Sequence, residues 1–477
     1  MGREIDTTRF KARHFNEFAR RLQQETTLLT EWAQSGRFSG RGLVAGCELE
    51  AWLVDRDLQP APVNEALIKA MADPLAMPEL AQFNFELNTA PEPLIDRALS
   101  RLEAALNRTW TRAIEAAETL GARPLTIGIL PTLRAEHLSL DNMSGLKRFQ
   151  ALNQQVLRAR DGRPLKLDIV GNERLKGEHH NVMLESAATS FQIHLQAPFE
   201  RAHRLYNAAI AASAPMVAAG ANSPFLFGSD LWSETRIPLF EQAVEVGGFN
   251  EAVRGPLRRV SFGSGYALDS LVECFTENLQ HYPVLLPMVF DSEPERLEHL
   301  CLHNGTIWRW NRPLIGFDDD GTPHVRIEHR VLAASPTITD AIADAALFFG
   351  LVEGLCADDT RLQARLVFAQ AKDNFYQAAR FGLNAQVVWL DGEKLAVRTL
   401  LLNELLPLAR RGLLAIGIEP LECDHYLGII CQRVEQGQSG ACWQRAFAKR
   451  FGSDMQVLTA AYAEHQRSGA PVHTWSL

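Results

Sequence analysis

Four stretches of the chain alternate apolar and polar residues, as a β-strand with one buried face does. They cover residues 40–55, 83–88, 189–196 and 325–332. In each stretch, one face of the strand would carry apolar side chains, and the other would carry carboxylates, amides, histidine or arginine. This pattern predicts a sheet that packs on helices behind and lines a polar cleft in front. A sheet face exposed to solvent is the alternative.

Segments with apolar residues at helical spacing surround these strands. The predicted helices cover residues 9–33, 63–71, 94–120 and 202–219, and most of the chain from residue 344 onward. We expect Thr337 or Thr339 to cap a helix whose first turn holds Asp340. A buried strand is predicted at residues 124–130, whereas residues 131–185 are charged and predicted to be rich in loops. The alternation of helices and strands predicts a mixed α/β protein.

Size and composition place the chain among ordinary globular proteins. It has 477 residues, of which 46% are apolar and 22% charged, so one large domain or two fused domains would both be compatible. A net charge of −9 disfavours broad attraction to a nucleic-acid backbone or an anionic membrane. The sequence has no apolar run of about 18 residues and no apolar signal-peptide core at its start. We therefore expect neither nucleic acid nor membrane as a partner.

The cysteines indicate a reducing environment. Seven of them are scattered along the chain without a CxxC pair, so a disulfide framework or a structural zinc site is not expected. This favours a cytoplasmic location. Cys47 lies in an apolar run and is expected to be a buried core residue.

The first candidate for chemistry is the pair Glu48 and Glu50. A strand turns residues two apart to the same face, so their carboxylates would be neighbours. Each would raise the pKa of the other unless a cation lay between them, and magnesium is a cation that takes oxygen ligands. The alternative is that both side chains face solvent on an exposed strand.

The other alternating stretches supply further polar side chains. Each set shares one face of its strand: Asn84, Glu86 and Asn88; Ser190, Gln192, His194 and Gln196; Arg326, Glu328 and Arg330. The last set could be a self-neutralised surface network, or a metal-binding carboxylate between cations that hold a polyphosphate. Arg309 and Arg312 lie among tryptophans, and Arg236 follows a polar turn. They are candidates, from composition and position alone, for binding a substrate carboxylate.

Six motifs in order carry a resemblance to a known family. They are GCELEAWLVD, FELNTAPEP, TSFQIHLQ, ANSPF, RIEHRVLAASPT and NFYQAARFGLNAQ, and they span residues 42–386. Together they resemble glutamate–cysteine ligase family 2, the carboxylate–amine ligases of the glutamine synthetase-like superfamily. The resemblance implies an α+β fold in which a curved, mainly antiparallel sheet forms a funnel-shaped active site backed by helices. It also implies ATP and Mg²⁺ as cofactors, with Mn²⁺ as an alternative metal.

The resemblance also assigns roles to residues of this sequence. It implies that metal ions are held by Glu48, Glu50, Glu86, His194 and Glu328. Gln192, Arg326 and Arg330 would contact the ATP phosphates. Arg330 and the five metal-binding residues would form the catalytic set.

The expected activity is ATP-dependent joining of a carboxylate to an amine through an acyl phosphate, on glutamate or a glutamate-like acid. Two alternatives stay open: a superfamily phosphotransferase acting on a guanidino or carboxylate compound, and a non-catalytic nucleotide-binding protein. The expected partners are small amino acids or amines, and a homo-oligomer is compatible. The expected organisation is a helical segment at 1–39, a catalytic domain at 40–390 and a helical C-terminal extension at 391–477.

Overall fold

The computed structural model describes residues 4–246, 258–357 and 361–477, except for the side chain of Asp391. The strands of the main sheet are β1 (Val44–Val54), β2 (Ala76–Pro78), β3 (Asn84–Asn88), β4 (Glu92–Pro93), β5 (Arg123–Leu125), β8 (Ser190–Ala197), β13 (Asn311–Phe317) and β14 (Pro323–Ala333). Two-stranded ribbons are formed by β6 (Leu165–Val170) with β7 (Arg174–His179), β9 (Phe225–Leu226) with β10 (Ser229–Asp230), β11 (Val260–Ser261) with β12 (Trp308–Arg309), and β15 (Gln386–Val388) with β16 (Lys394–Ala396).

The main sheet is antiparallel throughout and curls into a half-barrel. Its strands follow the order β13–β14–β8–β1–β3–β2, and β4 and β5 also pair with β1. The predicted strands at 40–55, 83–88, 189–196 and 325–332 correspond to β1, β3, β8 and β14, so alternation located the centre of the sheet. The α+β fold implied by the family resemblance is confirmed.

Helices cover the sheet and complete the chain. They are α1 (Ala12–Ser35), α2 (Asn64–Met71), α3 (Ala98–Thr119), α4 (Lys147–Ala159), α5 (Phe199–Gly220), α6 (Arg236–Ala243), α7 (Val272–His281), α8 (Glu298–Asn304), α9 (Ile338–Cys356), α10 (Leu362–Arg365), α11 (Phe368–Phe381), α12 (Val397–Leu400), α13 (Leu406–Ala415), α14 (Pro420–Gln436), α15 (Gly440–Phe451) and α16 (Met455–Arg467). The chain also contains a short 3₁₀ helix at Val182–Ala187 and a π-helical turn at Leu401–Leu405.

The back of the sheet is covered by α5 and α9, which are apolar on nearly every side. Thr337 caps α9 by accepting a hydrogen bond from the backbone N–H of Asp340, as predicted. Helix α13 approaches α9 closely because Gly350 and Gly412 face each other, where any Cβ would collide with backbone atoms. A single hydrophobic core therefore includes residues from Phe18 to Trp475, and the domain boundaries stay a prediction.

Two predictions about secondary structure are wrong. Strand β5 ends at Leu125, so only residues 124 and 125 of the predicted strand 124–130 pair with β1. The backbone of Thr126 instead exchanges hydrogen bonds with the side chain of Gln466, which satisfies a buried segment without a partner strand. The predicted loop-rich region 131–185 contains α4 and the β6–β7 hairpin.

Within the described ranges, no helix combines the length and the apolar character needed to cross a membrane.

Candidate active site

The strand register brings the predicted carboxylates to one face of the sheet. Glu50 on β1 lies directly opposite Glu86 on β3, and Glu48 lies opposite Gln192 on β8. Glu50 accepts hydrogen bonds from the side chain of Gln192 at 2.9 Å and from the backbone N–H of Ser190 at 2.6 Å. Both donors fix the orientation of the Glu50 carboxylate toward the cavity that it lines.

The same face continues through β8 and β14. His194 on β8 lies opposite Glu328 on β14, which in turn lies opposite Arg312 on β13. Arg312 donates two hydrogen bonds of 2.8 Å to the two oxygens of Glu328. Arg330 approaches the same carboxylate, with Nη1 3.4 Å from Oε2. Glu328, completely buried, is therefore held between two guanidinium groups.

In front of this face lies a cavity of about 500 Å³. The sequence-predicted residues that line it are Glu48, Glu50, Glu86, Gln192, Arg312 and Arg330. His194 and Glu328 are buried beside them, in contact with Glu48 and Arg312 respectively. The structure thus brings together residues from five strands that are up to 282 positions apart in the chain, from Glu48 to Arg330.

Three of these side chains could ligate one metal ion. A ligand atom of each of Glu48, His194 and Glu328 lies within 4.8 Å of the other two. His194 Nε2 is buried and lies 3.1 Å from a Glu48 oxygen, so the imidazole and this carboxylate are close enough to share one cation. Two carboxylates and an imidazole suit a divalent cation such as Mg²⁺ or Mn²⁺, and the residues fit the metal that the family resemblance implies.

The carboxyl groups of the cavity differ in their pKa values. Burial alone would raise the pKa of Glu328, but Arg312 and Arg330 lower it to about 2. Burial is also outweighed at Glu48, where His194 and Arg326 hold the pKa well below its usual range. Burial, with repulsion from Glu79, raises the pKa of Glu50 to about 7. The surroundings of Glu48 and Glu328 therefore favour the ionised form, whereas those of Glu50 favour the protonated form.

Burial and like charges also raise the pKa of Glu86. Its value lies well above the ordinary one because the carboxyl is buried and faces Glu48 and Glu79. Asn88 donates a hydrogen bond of 2.7 Å to Glu86, which fixes the side chain without supplying positive charge. A cation entering the cavity would relieve this repulsion.

Three further glutamates, Glu79, Glu185 and Glu298, line the cavity and were missed by sequence reasoning. Glu79 follows β2 in the turn before β3, outside any alternating stretch. Glu185 lies in the 3₁₀ helix Val182–Ala187, inside the region predicted as loops. Burial, with repulsion from Glu79 and Glu50, raises the pKa of Glu185 to about 8. The sequence did contain a signal for Glu185, which is the single carboxylate directly after the apolar run VML. A carboxylate in such a position is seldom buried without a function.

The lining of the cavity also includes apolar side chains. Helix α4 contributes Arg148, Phe149 and Leu152, and the segment around β13 contributes Ile315 and Phe317. The missed helix α4 is thus part of the cavity wall, and the cavity combines an acidic floor with an apolar wall.

The predicted arginines separate into two groups. Arg312 and Arg330 line the cavity, and Arg326 lies half-buried on the same strand face. The structure does not bring Arg309 there: it is buried, donates to Asn278 at 2.7 Å and pairs with Glu277 at 3.1 Å. Arg236 also lies outside the residues that line the cavity. It donates hydrogen bonds to backbone carbonyls of β14 instead.

Comparisons with known proteins agree with this geometry. Residues 44–468 match the family model described as glutamate-cysteine ligase family 2 (GCS2). The fold is similar to that of a glutamate–cysteine ligase from Francisella tularensis solved in complex with AMP, with a TM-score of 0.54, 12% identity and 90% of each chain covered. A bifunctional glutathione synthetase from Pasteurella multocida also aligns, with a TM-score of 0.48, 12% identity, 94% of this chain and 55% of that chain covered. No curated protein sequence matches the chain.

Proposed function

The chain belongs to glutamate–cysteine ligase family 2, and on this premise we propose that it is an ATP- and Mg²⁺-dependent ligase that joins a carboxylate to an amine. One observation supports the proposal most: four strands place an ionised carboxylate pair, an imidazole and two guanidinium groups around one cavity. Such a mixture of cation ligands and cationic side chains suits a polyphosphate with its metal.

The proposed reaction has two steps. In the first, an oxygen of the substrate carboxylate attacks the γ-phosphorus of ATP, the bond to the β-phosphate oxygen breaks, and an acyl phosphate and ADP form. In the second, the amine attacks the acyl carbon, inorganic phosphate leaves, and the amine nitrogen loses its proton to give the amide. Both steps develop negative charge on phosphate oxygens, so positioning and charge neutralisation dominate catalysis.

The side chains divide this work in our proposal. Glu48, His194 and Glu328 would hold Mg²⁺, with Glu50 and Glu86 as further carboxylate ligands from the same face. The metal would neutralise phosphate oxygens when it is bound. Gln192 and Asn88 donate hydrogen bonds to Glu50 and Glu86, which keeps these carboxylates oriented toward the cavity.

The arginines would act on the anionic groups of the substrates. Arg330 lines the cavity and would donate to the transferring phosphoryl group, and Gln192 and Arg326 would contact other phosphate oxygens. Arg312 uses Nε and Nη2 on Glu328, and its buried Nη1 has no hydrogen-bond partner among the described residues. We propose that this Nη1 group binds the carboxylate of glutamate or a glutamate-like acid. The seven cysteines are free thiols, which fits the reducing cytoplasm proposed as its location.

A substrate screen tests the proposal directly. Purified protein with ATP, Mg²⁺ and glutamate would be offered a panel of amines and amino acids that includes cysteine, and ADP release and amide formation would be measured by mass spectrometry. We expect ADP, phosphate and amide in equal amounts with at least one acceptor. A phosphorylated product that survives without amide would indicate a phosphotransferase. Nucleotide binding without turnover across the panel would support a non-catalytic protein instead.

A further inference from the structure

A β-bulge interrupts the pairing of β14 with β8 beside the cavity. His329 lies opposite Ile193 and Leu332 lies opposite Phe191, so β14 has one more residue than β8 between these pairs. The extra residue breaks the ladder and redirects the side chain of Arg330, which lines the cavity. It also leaves Arg330 and Val331, with their backbone carbonyl groups, outside the paired register with β8.

Arg236 satisfies these carbonyl groups. Its Nη2 donates to the carbonyl oxygen of Arg330 at 3.2 Å and to that of Val331 at 2.7 Å. Arg236 is only 3% exposed and is the first residue of α6. One terminal nitrogen of Arg236 therefore contacts two successive peptide units of the bulge, while Nε of the same guanidinium group lies beside Glu234.

The guanidinium group of Arg236 is itself fixed from two sides. Its Nε lies 3.4 Å from a carboxylate oxygen of Glu234, which accepts further hydrogen bonds from the backbone N–H of Asn222 and the hydroxyl of Ser223. On another side, it lies 5.3 Å from the centre of the Trp310 ring. Because the guanidinium group is buried and has Glu234 on one side and Trp310 on another, its position is defined.

The same surroundings reach Arg330 directly. The carbonyl oxygen of Trp310 accepts the backbone N–H of Arg330 at 3.0 Å, so Trp310 and Arg236 hold the two ends of this residue's backbone. The guanidinium group of Arg330 lies 5.4 Å from the centre of the Phe240 ring, one turn further along α6. Helix α6 thus contacts both the backbone and the side chain of Arg330.

We infer that Arg236, held by Glu234, is a positioning residue that sets the bulge and thereby directs Arg330 toward the phosphoryl group. This replaces the sequence-based candidate role of Arg236 in binding the substrate carboxylate, because its donors are directed at backbone carbonyls of β14. The inference rests on the proposed function for the role of Arg330, whereas the mechanical link between Arg236 and the bulge is independent of the reaction.

The conservative variant Arg236→Lys keeps a positive charge, but its side chain is shorter and has one nitrogen, so it cannot stay beside Glu234 and also reach the two carbonyl oxygens. We expect kcat to fall about 10- to 100-fold, as is typical when a supporting partner of a site residue is removed, while KM for the carboxylate substrate changes less than about twofold. In the Arg330→Lys background, adding Arg236→Lys should lower kcat by less than about threefold, because Arg236 acts through Arg330.

A matched control is Arg433→Lys. Arg433 is also buried and ion-paired, with Asp340 and Asp344, but it lies on α14 away from the cavity. Any loss of activity that it shares with Arg236→Lys would reflect general destabilisation. Glu234→Gln is a milder second variant, which keeps Arg236 while weakening its ion pair, and it should shift kcat in the same direction by a smaller factor.

Amide hydrogen exchange tests the link without turnover. In Arg236→Lys, the peptide that contains residues 323–333 should exchange about tenfold faster, whereas in Arg433→Lys its rate should equal that of the wild type. If the wild type has no ligase activity but this difference is found, the proposed function fails and the link survives. An unchanged exchange rate in Arg236→Lys would overturn the inference. A second contradicting outcome would be a raised KM for the carboxylate substrate in Arg236→Lys, together with a fall in kcat that adds in full to that of Arg330→Lys.

Discussion

Two buried clusters of charged side chains in this protein differ in the groups that contact their carboxylates. Between α9 and α14, Arg433 forms ion pairs with both Asp340 and Asp344. Asp340 also accepts hydrogen bonds from the backbone N–H of Val472 and the hydroxyl of Thr337. In this α9–α14 cluster one arginine of the chain forms an ion pair with each of the two carboxylates.

The cavity cluster is different because several of its carboxylates accept hydrogen bonds from neutral donors. Along its floor Glu50, Glu79, Glu86 and Glu185 all have raised pKa values, with burial as the largest cause of each. Their hydrogen-bond donors, such as Asn88, are largely neutral amides and backbone groups. A cluster that keeps buried carboxylates short of positive charge is suited to a cation that comes from outside the chain. The comparison suggests that one cluster holds the fold together and the other binds ligands.

We expect the largest effect on stability from a substitution in the α9–α14 cluster. Arg433→Met should lower the free energy of unfolding by about 3–5 kcal/mol, because two carboxylates would be left buried without their cation. Urea denaturation would measure this loss, and turnover per folded molecule should stay unchanged. A loss of specific activity with unchanged stability would reverse the roles assigned to the two clusters.

The next largest effect is expected in the cavity. Glu48→Gln and Glu328→Gln should each lower kcat by on the order of a hundred- to a thousandfold, because charge stabilisation at the phosphates would be weakened. Folding should be preserved for Glu48→Gln, since removal of one carboxylate from a like-charged cluster can relieve repulsion. Glu115→Gln, on the exposed side of α3, is the matched control. Unchanged activity in either variant would remove that residue from the metal site.

Mg²⁺ binding should raise the free energy of unfolding, and this gain should depend on the cavity cluster and not on the α9–α14 cluster. At a Mg²⁺ concentration of about 100 times Kd, the free energy of unfolding should rise by about 2.7 kcal/mol, and EDTA should reverse the gain. Thermal unfolding would measure it. Glu48→Gln should lose this response, whereas Arg433→Lys should keep it although its starting stability is lower. An equal response in Glu48→Gln would place the metal elsewhere.

The smallest effect, taken per pH unit, is on the pH dependence of stability. The pKa of Glu185 is raised from 4.5 to about 8 by burial, with added repulsion from Glu79 and Glu50. Between these two values the folded protein holds a proton that the unfolded chain has released, so the free energy of unfolding falls as pH rises through this window. The contribution of one such group is at most about 1.4 kcal/mol per pH unit. Glu185→Gln should flatten the decline measured in metal-free buffer, and Glu115→Gln should leave it as it is.

Much of the sheet and most of its predicted metal ligands could be located from sequence because alternation is local. Glu48, Glu86, His194 and Glu328 were each assigned to a polar face from a few neighbouring residues, and each is found on the cavity face. Helix α4 could not be found in the same way. It is preceded by Leu146, which provides no side-chain cap, and its apolar residues are separated by charged and amide side chains.

The sequence by itself determined which side chains share a strand face, because the period of two is a property of the extended backbone and needs no partner. Only the tertiary structure decided which faces meet and at what distance, because strand register and bulges depend on contacts between distant segments. Arg309 and Arg312 illustrate the division. They are three residues apart in similar surroundings, yet Arg309 is enclosed with Glu277 and Arg312 reaches the cavity beside Glu328.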